Sequence, residues 1–263
     1  MDVLKLGWVV IVMALLSGCS NVRAARLLLP EQFGLSRIDD GLYVETGADD
    51  ETRTKLITAV TRAENAIRTA YGGVESRPVV NACITDACYA SFGGMGSRAK
   101  IYGNYILLSP QGLDWHFLAH EWSHDEIRSR LTTMAWWRRL PQWFDEGVAV
   151  TISRDPKYSE EHWRYLISAN VPRPSRQELL ACRSLTAWLD TVRRFGATQN
   201  RERREKGEPE VRPVYTAAGH EVRPWLDTVG TKGLWALIDG LNRGEPFEHI
   251  YTHMESPAGL PIH

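Results

Sequence analysis

His120-Glu121-Trp122-Ser123-His124 and, beyond an interval of 21 residues, Glu146 within Trp143-Phe144-Asp145-Glu146-Gly147 decide how this chain reads. Leu113, Phe117, His120, His124, Ile127 and Leu131 recur at three- and four-residue steps, so the first stretch is expected to be one helix with both histidines on its buried stripe. A spacing of four sets two imidazoles about one turn apart and pointing the same way, as two ligands of a tetrahedral Zn²⁺ must. Glu121 is rotated by about 100° from His120, so it need not ligate and is placed to take a proton from water as a general base. A second, short helix is expected from about Pro141, with Glu146 one turn in. Gly147, having no side chain, is expected to let that helix close on the histidine helix, bringing Glu146 in as third ligand and leaving the fourth position to water.

H-E-W-S-H followed by W-F-D-E-G-V-A resembles the gluzincin zinc metallopeptidases, the group that includes thermolysin and aminopeptidase N. The likeness is specific over Leu118 to Val150 and general elsewhere. It implies His120, His124 and Glu146 as Zn²⁺ ligands, Glu121 as base, a peptide or protein substrate, and an α+β fold in which a small mixed sheet precedes a mainly helical part, with the metal in the cleft. It implies, too, a later tyrosine or histidine that donates to the oxyanion, for which Tyr215 and His220 are the candidates. Asp125 is the candidate to orient a ligand histidine by accepting its other ring N–H. His116, one turn before His120, is the residue that would close a structural site rather than leave it open. In gluzincins the strand nearest the site pairs with extended substrate, and Tyr105 to Leu108 is the expected edge here. Phe92-Gly93-Gly94-Met95-Gly96-Ser97, a flexible loop, is similar in position to the G-x-M-E-N segment of aminopeptidases. It lacks the glutamate that would bind a free amino terminus, which favours an endopeptidase.

With 263 residues, 43% of them hydrophobic, and a net charge of −1, the chain can bury a sizeable core and offers no electrostatic case for nucleic acid. The signal-like residues 1–18, with Lys5 and an apolar run, end in Leu16-Ser17-Gly18 directly before Cys19, which resembles a bacterial lipoprotein signal. That resemblance implies acylation of Cys19 and a membrane-anchored protein of the cell envelope, on the outer-membrane side where two membranes are present. The expected order is then a tether with one strand at Leu42 to Glu45 (19–49), a metallopeptidase-like domain (50–255, divided into an α/β part to 133 and a helical part from 134), and a tail from 256 to 263. Within the domain, an amphipathic helix from Asp50 to Tyr71, a strand from Pro78 to Thr85 and a hairpin around Gly103-Asn104 precede the histidines. Helices are expected at Glu160 to Ala169, Arg176 to Phe195, Tyr215 to Val229 and Lys232 to Asn242, with Pro224 kinking the third and a solvated loop from Asn200 to Pro213. In an oxidising compartment Cys83 and Cys88 favour a local disulfide, leaving Cys182 as a buried thiol. Ten tryptophans, five of them near the motif, are expected mainly as core, with a substrate wall or a membrane-facing rim as the alternative. A function of a different class, a non-catalytic zinc-containing or pseudo-peptidase lipoprotein that holds a cell-envelope partner, is compatible with the same residues.

Overall fold

The computed structural model describes residues 22–255; the signal-like segment with Cys19 and the tail from 256 lie outside them. The chain forms two compact units: one takes the residues up to Ala59 together with Arg77–Asp114, the other Val60–Ser76 together with Trp115 onwards. The fold is mixed α+β, with a small five-stranded sheet in the first unit and helices in the second.

The first unit begins with helical residues 22–28 (α1) and strands β1 (Leu35–Asp39) and β2 (Leu42–Glu45). It continues with the first turns of α2 (Asp50–Tyr71), then β3 (Val79–Ala82), α3 (Asp86–Ser91), β4 (Ala99–Tyr102) and β5 (Tyr105–Leu108). The sheet runs β1-β2-β3-β5-β4, antiparallel at both ends and parallel between β2, β3 and β5. Residues 22–49 are therefore no tether: Leu27, Leu35, Leu42 and Val44 are core. The expected edge strand is also corrected. Tyr105–Leu108 pairs on both sides, with β3 and β4, and Ile106, Leu107 and Leu108 are fully buried. An unbroken apolar run marks an internal strand, and the tight turn at Gly103 (φ 64°) folds β4, not β5, to the edge. The Cys83–Cys88 disulfide is present, closing the corner where the Thr85 hydroxyl caps α3 by accepting from the Cys88 N–H.

The second unit holds the rest of α2, then α4 (Trp115–Arg130), α5 (Thr133–Arg138), α6 (Gln142–Ser153), α7 (Glu160–Ser168), α8 (Arg176–Leu180), α9 (Leu185–Val192), α10 (Thr198–Glu205), α11 (Pro213–Arg243) and α12 (Phe247–Glu255). The histidine helix thus belongs wholly with the helical unit, against the expected division at 133. Almost all of α6 is buried. Its Trp143 and Phe144 meet Trp225, Phe247 and Tyr251 at ring separations of 5.0–5.8 Å, mostly edge to face, a geometry worth about 0.5–1.5 kcal/mol per pair beyond area burial. Gly147 serves a different neighbour from the one expected: a Cβ there would lie 2.4 Å from Val222 and 2.8 Å from the Ala218 carbonyl, both on α11. Gly219 on α11 answers it, its virtual Cβ lying 2.6 Å from Val150. A glycine on each helix thus lets α6 and α11 cross at close range.

Three helical expectations change. Arg176 to Phe195 breaks at 181–184, because the carbonyls of Cys182 and Arg183 accept from Trp143 and Gln142 and satisfy the open first turn of α6. Cys182 is a buried free thiol, as expected. Residues 198–205 are helical rather than loop; the Asn200 amide exchanges two 2.8 Å hydrogen bonds with the Val211 backbone and pins the return of the chain. In α11 the non-helical residue is Gly230 (φ 60°, ψ −166°), so the two expected helices meet there and Pro224 is accommodated inside the first. Among the described residues no helix is long and apolar enough to cross a membrane.

Candidate metal centre

Helix α4 presents its core face through Trp115, Leu118, Ala119, Trp122, Ser123 and Glu126, all buried. His120 and His124 lie on the adjoining face and each keeps 15% of its side chain exposed. The expectation that both histidines lie on the buried stripe is thus corrected: the apolar pattern that packs is shifted around the helix, and the histidines are partly exposed. The back of α4 is held by Tyr71, whose hydroxyl is 3.2 Å from Ser123 Oγ, and by Trp122, whose indole N–H donates to Ser76 Oγ at 3.0 Å.

On α6, Glu146 is 7% exposed. Its Oε2 lies 3.4 Å from His120 Nε2 and 3.7 Å from His124 Nε2, and the two Nε2 atoms are 3.3 Å apart. The three ligand atoms fall within 4.8 Å of one another. Oε1 accepts from Gln142 at 3.2 Å, whereas Oε2 is buried with no hydrogen-bond partner. A buried carboxylate oxygen left without a donor is costly; two imidazole nitrogens and one such oxygen converging on a point are a donor set that suits zinc. The residues present therefore fit a metal ion.

The residue that serves His124 is Asp145, not the expected Asp125. Asp145 Oδ2 lies 3.0 Å from His124 Nδ1, although the alignment falls short of a good hydrogen bond. Burial opposes charge on His124, but Asp145, then Glu146 and Glu121, outweigh it and pull the metal-free pKa up to about 10. Burial likewise works against the Glu146 carboxylate, yet contact with His120 and the charge of His124 hold it below the ordinary carboxylate range. Asp125 is instead 3% exposed and paired with Arg128, its pKa raised by burial. Asp145 stood inside the quoted motif, but neighbours in a helix point about 100° apart. Only the approach of α4 to α6 shows that both acids reach the histidines.

The remaining candidates separate. Glu121 is close enough for its charge to raise the pKa of both His124 and Tyr215. Tyr215, at the start of α11, has its ring 6.3 Å from that of His120 and packs against Tyr158 at 5.6 Å and edge-on to Trp188 at 5.1 Å. The Glu146 charge first, and burial second, push its hydroxyl pKa up, so it stays protonated. His220, five residues along α11 and so about 140° around it, is directed elsewhere: its Nδ1 is 2.9 Å from Glu160 Oε2 and its ring stacks on Trp163 at 4.3 Å. His116 does not join the centre either; its Nδ1 donates to the Ser153 carbonyl at 2.6 Å, at the C-terminal end of α6. Of the tryptophans near the motif, Trp115, Trp122 and Trp143 are core, while Trp137 is 71% exposed.

The sequence matches no family model and none of the curated proteins.

Proposed function

We propose that the protein is a zinc-dependent peptide-bond hydrolase of gluzincin type, acting as an endopeptidase and held at a bacterial cell envelope through an acylated Cys19. The observation that carries the hydrolase reading is the orphaned Glu146 Oε2 facing two Nε2 atoms beside Glu121 and a protonated Tyr215. His120, His124 and Glu146 would hold the ion. When bound, zinc would supply the Lewis acidity that polarises a carbonyl and makes water nucleophilic near neutral pH. Glu121 takes the proton of the attacking water and returns it to the leaving amine. The Tyr215 hydroxyl donates to the oxyanion as charge develops there, and Asp145 orients His124 from its other nitrogen.

A closed, structural site in a partner-binding lipoprotein has less support. Among the described residues the ligand group numbers three, and the residue suspected of closing it, His116, is committed to Ser153. The test is cleavage of an unfolded protein such as casein by zinc-loaded wild type and Glu121→Gln. Loss of about a hundredfold or more in rate, with zinc retained by the variant, is expected. Equal cleavage by the two proteins would remove Glu121 from the chemistry, and no cleavage by either would favour the partner-binding function.

A further inference from the structure

A second feature of the helical unit lies outside the metal ligands. A cavity of about 560 Å³ opens among the later turns of α2, the start of α4, the end of α6 and the middle of α11, inside the range of roughly 300–1,000 Å³ typical of small-molecule sites. Arg62 and Arg154 line it. Among the described residues neither guanidinium is paired with a carboxylate, whereas many other arginines of the chain are. The Arg62 guanidinium carbon lies over the Trp115 indole, 4.1 Å from the ring centroid. A cation–π contact of this kind holds the guanidinium at the cavity wall, and its N–H groups can donate to a carboxylate or phosphate.

Two unusual backbone conformations fall in the same wall. Arg154 sits in the left-handed region (φ 49°, ψ 33°), uncommon for a residue with a side chain, and Gly230 sits in a region open essentially to glycine alone (φ 60°, ψ −166°). Asp227 is the one acid in the lining, so the cavity is polarised, cationic on the α2 and α6 sides and anionic on the α11 side.

We propose that this cavity binds a small anionic ligand, a carboxylate or phosphate borne on an apolar body, whose charge is met by Arg62 and Arg154. The apolar body rests against Trp115, Ile152 and Leu226. The site stands independently of the hydrolase function, since none of its residues is a metal ligand.

The test is calorimetric titration of the full chain in non-ionic detergent, stripped of metal beforehand so that no anion can go to the metal centre. Phenyl phosphate and benzoate are the probes, and benzyl alcohol is the uncharged control. Binding of at least one anion with a Kd of about 1 mM or tighter is expected, weakened roughly tenfold by Arg62→Gln and by Arg154→Gln and unchanged or tightened by Asp227→Asn. The tighter of the two anions identifies the group the site takes. Unchanged thermal unfolding of the variants shows that they fold, both arginines being exposed. No binding of either anion, equal affinity in the arginine variants, or benzyl alcohol binding as tightly would overturn the proposal.

Discussion

Helix α4 borders two clusters of buried charge on different faces, and their contrast separates a structural site from a chemical one. On one face Glu126, fully buried, accepts from the backbone N–H groups of Glu75 and Ser76 at 2.9 Å each, from Ser76 Oγ at 2.6 Å and from Arg130 Nε at 2.8 Å. Arg130 in turn reaches Glu75 and the Gly73 carbonyl and stacks at 4.3 Å on Trp235. Every lone pair has a donor, and the cluster ties the 73–76 segment to the helix. On the other face Glu146 has one donor, Gln142, and its second oxygen looks at two histidine nitrogens with nothing to satisfy it. A bound metal ion would satisfy that oxygen, and no protein donor does so.

The largest expected effect lies on the satisfied side. Glu126→Ala removes the buried carboxylate from Arg130, leaving it only Glu75 and the Gly73 carbonyl, and takes the acceptor from two backbone N–H groups, so unfolding in urea should show a loss of about 3–5 kcal/mol. A loss below about 1 kcal/mol would erase the contrast. On the metal side, Asp145→Asn should reduce zinc affinity by about 10- to 100-fold in competition with a chromogenic chelator, as loss of the carboxylate beside a ligand's other ring nitrogen does, whereas Asp125→Asn should leave it within about twofold.

The pH dependence follows from His124. Its folded pKa, about 10, lies above its ordinary 6.5, so in metal-free protein the stability this proton contributes is complete below pH 6.5 and is lost as pH rises through 10. Zinc must expel the same proton. Zinc affinity should therefore climb about tenfold per pH unit through neutrality, with about one proton released per ion in titrations run in buffers of different ionisation enthalpy. Proton release near zero would show that His124 does not ligate. The smallest effect expected is that of Glu146→Gln on the stability of metal-free protein, roughly 1 kcal/mol or less, because removal of a poorly satisfied buried charge offsets much of what its attraction to His124 contributes.

The candidate metal-binding group was legible because its spacing is local: four residues on one helix, and a glutamate one turn inside a second. The disulfide, the Gly103 hairpin and the Gly230 junction were legible for the same reason. What the sequence hid depends on which elements meet. Asp145 gains its role only through the approach of α6 to α4, and Gly147 reads as a close contact without naming α11 as its partner. Glu126 carried no signal, since its donors lie 50 residues upstream. The edge strand was misjudged because a four-residue run pairs equally well on either side of a hairpin, and α10 was missed because a polar helix has no apolar period to betray it.

The central claim is that Glu146 completes a three-ligand zinc site. Metal content by mass spectrometry, measured side by side on wild type and Glu146→Ala after reconstitution with zinc and desalting, tests it most directly. About one zinc per chain in wild type and a marked loss in the variant are expected; full retention by the variant, or no zinc in wild type, would contradict the account.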